Sequence, residues 1–176
     1  ISSAASDVYK RQRLEGLHTK VLDTRKTTPG MRLLEKMAVK MGGGANHRIG
    51  LFDMILIKDN HVDFAGGITN AVSRAKQWCK DNGKDLKIEV EVRNTPEIME
   101  ALEAGVDRIM LDNYTPERTA EAVALIREKN PNVEIESSGG ITLDTLRAYG
   151  EAGVDFISVG ALTHSVKGLD MSFKAC

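Results

Sequence analysis

The stretch EAGVDRIMLD at 103–112 returns as EAGVDFISVG at 151–160. In each copy a helical end runs through Gly-Val-Asp into a short apolar strand. A helix that feeds a buried strand twice in the same way marks a βα repeat, and stacked βα units build parallel sheets. The rest of the chain keeps this rhythm. Apolar or β-branched runs lie at 20–24, 54–60, 87–92, 108–113, 133–139 and 156–161. Segments with helical spacing separate most of them, at 30–41, 68–83, 95–105, 115–130 and 142–153. Several open with Thr. The two TPE triplets, at 95–97 and 115–117, read as an N-cap followed by Pro at the first helical position. Many close with Gly or Asn, as helix C-caps do.

Six strands are clear, and the 42–50 region has room for a short seventh. An eight-stranded barrel takes about 250 residues, whereas this chain has 176. The expected fold is α/β: a small or incomplete parallel (βα) barrel of about six to seven strands, with an open doubly wound sheet as the alternative. No GxGxxG follows a strand, which argues against a dinucleotide fold. Composition narrows the partners. With 24 basic and 25 acidic residues there is no global field for nucleic acid or a membrane surface. No apolar run approaches the roughly 20 residues of a membrane span, and the start, ISSAASDVYKRQ, lacks the apolar centre of a secretory signal. Cys79 and Cys176 are isolated, which points to reduced thiols in a cytoplasm. With no CxxC and no His pair at ligand spacing, no structural zinc is expected.

Polar and small residues collect at the C-terminal end of every strand: Arg25 and Lys26; Lys58, Asp59 and Asn60; Glu91 and Arg93; Asp112 and Asn113; Ser137, Ser138, Gly139 and Gly140; Gly160 and Ala161. In a parallel barrel these ends converge on one mouth, where the βα loops build the site. Each feature also has a plainer reading. Arg25 and Lys26 could be a solvated pair, although the TTPG that follows fixes where they point. SSGG at 137–140 could be a plain turn, or a cradle whose backbone N–H groups bind phosphate. GGG at 42–44 reads as a loop or helix stop, and His47 and Arg48 could cap or pack. Glu91 and Asp112 end apolar strands, where carboxylates are costly unless paired or metal-bound. Strand alternation puts Glu89 and Glu91 on one face, and Glu91 lies nearer the mouth. Trp78 and the methionines read as packing residues, and His164 as structural.

A mouth with several cations suits a small polyanion, because Arg holds carboxylates bidentately and Lys acts as a point charge. Carboxylates beside those cations suit Mg²⁺ carried in with a diphosphate, and they can stabilise an oxocarbenium-like centre. The residues alone therefore indicate a phosphorylated sugar and an anionic partner without naming the reaction.

LDTRKTTPGMRLLEKMAVKMGGGANHRIGLFDMILIKDNHV closely resembles the quinolinate phosphoribosyltransferase family, as do EVEV (89–92), IMLDN (109–113), ESSGGIT (136–142) and VGALTHSVKGLDMSF (159–173). The resemblance runs from about residue 17 to the end. It implies a type II phosphoribosyltransferase barrel that joins quinolinate to phosphoribosyl pyrophosphate with Mg²⁺. The implied products are nicotinate mononucleotide, pyrophosphate and CO₂, in NAD synthesis. Arg25, Lys26, His47, Arg48 and Lys58 would then hold the pyridine dicarboxylate and nearby phosphates. Glu91 and Asp112 would face the ribose and its metal-bound pyrophosphate, so that Lys26, Glu91 and Asp112 form the catalytic set. Ser138, Gly139 and Gly160 would hold the 5′-phosphate.

The resemblance also implies a homodimer or higher homo-oligomer for the full-length protein, and the isolated cysteines a cytoplasmic location. Members of the family carry an additional N-terminal domain that packs on a partner's barrel and lends it an arginine. On that resemblance, the 176 residues are expected to lack a counterpart to that domain. The expected layout is a non-native or disordered leader at 1–12 and a catalytic barrel at 13–176. Three alternatives stay open: a paralogue on the same scaffold, associated with molybdate transport and using another acceptor; a truncated barrel that only binds phosphate; and an aldolase using Lys58 as a Schiff base. The last is disfavoured by Asp59, Asn60 and His61 around that lysine.

Overall fold

The computed structural model describes residues 12–165. The expectation of a leader therefore falls, up to residue 11, outside the described residues, and so does Cys176. Six strands form one parallel sheet in the order β1-β6-β5-β4-β3-β2. They are β1 (Lys20–Leu22), β2 (Ile55–Ile57), β3 (Ile88–Val92), β4 (Arg108–Asp112), β5 (Glu134–Ser138) and β6 (Phe156–Ser158). The helices are α1 (Arg32–Met41), α2 (Asp59–Ala65), α3 (Ile68–Asp81), α4 (Thr95–Ala104), α5 (Pro116–Lys129), α6 (Leu146–Glu151) and α7 (Ala161–His164).

The Gly-Val-Asp echo has a structural reason. Gly105 and Gly153 sit at φ 68° and 92°, where a side chain would be strained. The valine that follows each is buried. Each aspartate then ties down the strand before it. Asp107 Oδ2 accepts the Ile88 N–H at 2.7 Å, and Asp155 Oδ2 accepts the Ile135 N–H at 2.7 Å. The motif therefore ends a helix, enters a strand and caps the neighbouring strand's open end.

Strand alternation splits each ladder into two faces. Ile88, Val90, Val92, Ile109, Leu111, Ile135 and Ile157 join one apolar core with helix residues such as Ile68, Ile98, Ile126 and Leu146. The opposite parity carries Glu89 and Glu91 on β3, Arg108 and Met110 on β4, and Glu136 on β5. Glu89 pairs in register with Arg108, and Arg108 with Glu134. Further along β4 and β5, Met110 pairs with Glu136, and Asp112 with Ser138. The concave side of the sheet is thus layered with charged and polar groups, where barrel interiors are ordinarily filled by branched apolar residues.

The sheet is open: among the described residues no ladder joins β1 to β2. The short seventh element expected at 42–50 is reduced to one bridge, Leu22 to Ala45, beside β1. Side chains span the gap instead, as Arg48 Nη1 donates to the Met54 carbonyl at 3.2 Å. The GGG segment is a helix stop. Gly42 caps α1, and a Cβ on Gly44 would lie 2.9 Å from Val39 and 3.4 Å from the Val21 carbonyl.

Several expected boundaries move. The run 54–60 is a strand only to Ile57; Asp59 and Asn60 open α2, which is closed by Gly66 in the left-handed region. The helix expected at 142–153 narrows to α6. The first TPE is shifted by one, since Asn94 is the N-cap of α4 and accepts the Glu97 N–H. The second TPE follows the rule, with Thr115 as cap and Pro116 first in α5. Trp78 is half exposed on α3. Helix α1 is unusual in burying Lys36 with Ala38 and Val39 while Leu33, Leu34, Met37 and Met41 face outward. Among the described residues, no helix is long and apolar enough to cross a membrane.

Candidate active site

At the C-terminal ends of the strands lies a cavity of about 320 Å³. Its walls include Arg25, Lys26, His47, Arg48, Lys58 and Ser138, with Leu56, Met110, Glu136 and Ser158 below. Six of the ten residues expected at the site therefore line one opening. Gly139, Gly160, Glu91 and Asp112 belong to its rim through their neighbours. Lys58 Nζ meets Glu91 Oε2 at 2.8 Å, and Asp112 stands in register beside Ser138.

The cations divide into two kinds. Lys58 is committed to Glu91. Arg25, Lys26 and Arg48 form no ion pair among the described residues. Burial lowers the Arg48 pKa, and the nearby Arg25 guanidinium lowers it further. Two mutually repelling guanidiniums with no carboxylate between them form a seat for an anion.

The loop after β1 is fixed by its own contacts. The Lys26 N–H donates to Thr24 Oγ1 at 3.1 Å, and the Lys26 carbonyl accepts from Thr163 Oγ1 at 2.6 Å. Arg32 on α1 donates to the Arg25 carbonyl at 3.4 Å. The loop is thereby held between α1 and α7.

The carboxylates sit across from the cations. Asp112 is half buried, and its pKa is raised, first by burial and then by the charge of Glu91; Lys58 pulls it back. Asn113 Nδ2 donates to Asp112 Oδ2 at 2.6 Å. Two carboxylates crowded against one lysine are a fitting place for a divalent cation that arrives with a diphosphate. Next to them, Asn113 takes φ 55° and Gly139 φ 94°. A Cβ on Gly139 would collide with the Asn113 side chain and lie 2.9 Å from its backbone nitrogen. The glycine turn is therefore pressed against the end of β4. Gly160 precedes α7, and a Cβ there would meet the His164 ring at 2.8 Å.

Sequence reasoning missed the supports beneath this surface. Asp23 and Lys36 are both buried and pair at 2.5 Å. Asp23 also accepts the His47 N–H at 2.8 Å and Asn46 Nδ2 at 2.6 Å, while Lys36 donates to the His47 carbonyl at 2.9 Å. This knot fixes the Asn-His-Arg segment to the end of β1. A lysine amid Leu, Met, Ala and Val on an amphipathic helix carried no signal that it would turn inward.

The His47 ring is also turned inward. Its Nδ1 accepts the Arg48 backbone N–H at 2.8 Å, which puts the proton on Nε2. Nε2 lies 3.0 Å from Glu89 Oε2 and 3.5 Å from Glu136 Oε2. Burial lowers the His47 pKa, with the Glu136 charge opposing. Nδ1 is thus occupied, while Nε2 faces the two carboxylates without an aligned hydrogen bond among the described residues. His47, Glu89 and Glu136 bring three ligand-type atoms within 4.8 Å of one another. The Nδ1 contact leaves no lone pair on Nε2 for a metal, and Arg108 Nη1 already meets Glu136 at 3.1 Å. That set favours protons over a metal ion.

A family profile described as "Quinolinate phosphoribosyl transferase, C-terminal domain" matches residues 1–174. A chloroplastic carboxylating nicotinate-nucleotide pyrophosphorylase from Arabidopsis thaliana is 47% identical over 166 residues, which cover 88% of this chain and 48% of that protein. A Bacillus subtilis protein, named as a probable enzyme of the same kind, is 48% identical over 159 residues, 90% of this chain and 53% of its own. A solved nicotinate-nucleotide pyrophosphorylase from Francisella tularensis superposes with a TM-score of 0.87 at 46% identity, over 94% of this chain and 57% of that one. The chain thus spans about half the length of the curated relatives it matches.

Proposed function

The chain belongs to the quinolinate phosphoribosyltransferase family, and we propose that it supplies the catalytic barrel for transfer of phosphoribose to quinolinate with loss of CO₂. The observation that carries this reading is the unpaired trio Arg25, Lys26 and Arg48 around a cavity of about 320 Å³, set opposite Glu91 and Asp112. Two carboxylates on one small ring match such a seat, and the opposed acids match a ribosyl cation with its metal-bound diphosphate.

In this reading Arg25 and Arg48 grip the pyridine carboxylates, and Lys26 and Lys58 serve the adjacent phosphate oxygens. Holding the ring fixes its nitrogen in line with the ribose C1, which contributes orientation. Displacement of pyrophosphate builds positive charge on the ribose, and Glu91 and Asp112 stabilise it. Mg²⁺ enters with phosphoribosyl pyrophosphate, as part of that substrate. Ser138 and the Gly139 and Gly160 backbone receive the 5′-phosphate. The ring nitrogen, now cationic, draws electrons from the bond to the adjacent carboxylate, CO₂ leaves, and the electron pair left on that ring carbon takes a proton from water to give nicotinate mononucleotide. His47 serves as the strut behind Arg48.

The outward apolar face of α1, continued by Ile49, Leu51 and Phe52, supports packing against a second copy or a further domain. A cytoplasmic location, read from the isolated cysteines, belongs to the same proposal; the Arabidopsis relative is named chloroplastic.

The test is calorimetric titration of the 176-residue chain with quinolinate, with and without Mg²⁺-phosphoribosyl pyrophosphate, followed by a CO₂-release assay. Binding with CO₂ release is the expected result for a sufficient barrel. Binding without release assigns part of the machinery to another domain. A folded chain that binds no quinolinate refutes the substrate assignment.

A further inference from the structure

Arg25 and Arg48 bring like charge into one cavity, and like charges at close range push their supports apart. Arg25 Nε is buried with no hydrogen-bond partner among the described residues. Where that guanidinium sits is therefore set by the backbone that carries it. The two backbones part just before the seat. The Val21 carbonyl accepts the Ala45 N–H at 2.8 Å, and the Ala45 carbonyl accepts the Asp23 N–H at 3.2 Å. Beyond Ala45, no main-chain hydrogen bond joins residues 23–26 to residues 46–49.

Helix α1 spans this opening twice, with two cations one turn apart on a single face. Lys36 Nζ donates to Asp23 Oδ1 at 2.5 Å and to the His47 carbonyl at 2.9 Å. Arg32 divides its fork between the Arg25 carbonyl at 3.4 Å and the Ile49 carbonyl at 3.3 Å. Each cation thus holds one residue of the first segment and one of the second. The Arg32 span lies two residues further along both segments than the Lys36 span. Asn46 locks the inner span, since its Nδ2 donates to Asp23 Oδ2 at 2.6 Å and to the Lys36 carbonyl at 2.8 Å. Neither Arg32 nor Lys36 lines the cavity, and Asp23 neutralises Lys36. Lys36 therefore adds little to the field that a ligand meets, and what the two spans supply is a fixed separation.

We infer that Arg32 and Lys36 are positioning residues that set the distance between Arg25 and Arg48, and so match the seat to two carboxylates on adjacent ring atoms. That the ligand is such a dicarboxylate rests on the reading given under Proposed function. The bracing rests only on the residues named here.

The first arm of the test is calorimetry of the parent chain, Lys36→Met and Arg32→Met, each first shown to be folded by circular dichroism. The Kd for quinolinate should rise about tenfold or more in both variants, because a binding group displaced by about 1 Å can cost up to about a hundredfold. The Kd for Mg²⁺-phosphoribosyl pyrophosphate should stay within about twofold. A general loss of positive field, or of folded protein, would weaken both ligands alike, and that result overturns the inference. So does a quinolinate Kd within about twofold of the parent in both variants. If K36M does not fold, R32M decides alone, since Arg32 is only partly buried.

The second arm needs no ligand. Nitrogen-15 NMR of the arginine Nε–H groups in the free chain should show the Arg25 and Arg48 signals moved in R32M. The Arg108 signal, held by Glu134 at 3.0 Å, should stay in place. Unmoved Arg25 and Arg48 signals overturn the inference. If they move but the parent binds no quinolinate, the bracing stands and the substrate assignment falls.

Discussion

Replacing Lys36 with methionine should expose how much the site depends on a contact that no ligand touches. The substitution keeps the length and volume of the side chain but removes the ammonium that meets Asp23 at 2.5 Å. Breaking a buried pair from one side costs about 3–5 kcal/mol, because the other charge is left without a partner. Asp23 keeps two donors, Asn46 Nδ2 and the His47 N–H, so the lower end, about 3 kcal/mol, is expected. For a domain of this size that corresponds to a fall of about 6–12 °C in Tm.

The sign of the pH dependence follows from Asp23. Burial holds its carboxyl above the usual range, and Lys36 is the main group pulling it back. Losing Lys36 raises it further. An acid whose pKa is higher in the folded than in the unfolded state favours the fold while protonated, and that advantage is lost as pH climbs through the folded value. The deficit of K36M should therefore be smaller near pH 5 than near pH 8. Urea unfolding followed by circular dichroism at both pH values measures it. A loss under about 1 kcal/mol, or a deficit that grows on acidification, would refute the reasoning. Adding Asp23→Asn to K36M should recover part of the loss, since no buried charge is then stranded.

Gly139→Ala should cost about 1–3 kcal/mol, because it combines a left-handed backbone with a collision against Asn113; thermal melts measure it. Lys58→Ala should change stability by less than about 1 kcal/mol, since the lysine is half exposed. On the proposed function, Glu91→Gln should lower CO₂ release by about a hundredfold or more relative to the parent without unfolding the protein. Arg48→Lys should weaken quinolinate binding by about tenfold or more, because an ammonium cannot replace a bidentate guanidinium; titration calorimetry decides this. Chelating Mg²⁺ should weaken binding of phosphoribosyl pyrophosphate while leaving that of quinolinate intact.

Much of the site was legible because a parallel sheet sends its C-terminal strand ends to one side. Arg25, Lys26, Lys58, Glu91, Asp112 and Ser138 could be read as neighbours without knowing any contact. Helix α2 was not legible. LysAspAsn at 58–60 follows an apolar run, and what makes it helical is a cap in which Lys58 N–H donates to the His61 ring at 2.9 Å. The shift of the α4 cap from Thr95 to Asn94 is of the same kind, since two adjacent residues both make good caps.

Sequence by itself determined the alternation of strands and helices, the Gly-Val-Asp joints, the polar mouth and the family. These depend on periodicity and local backbone chemistry, which neighbouring residues carry. Tertiary structure alone decided that Lys36 turns inward to Asp23, 13 positions away. It alone decided that His47 presents its ring to Glu89 and Glu136 while its backbone carries Arg48. Alternation and position along the strand put Glu91 nearer the mouth than Glu89, but only the fold seals Glu89 beneath it against His47. Depth within a barrel is set by the stagger of strands that pair across long stretches of chain, and no local pattern encodes it.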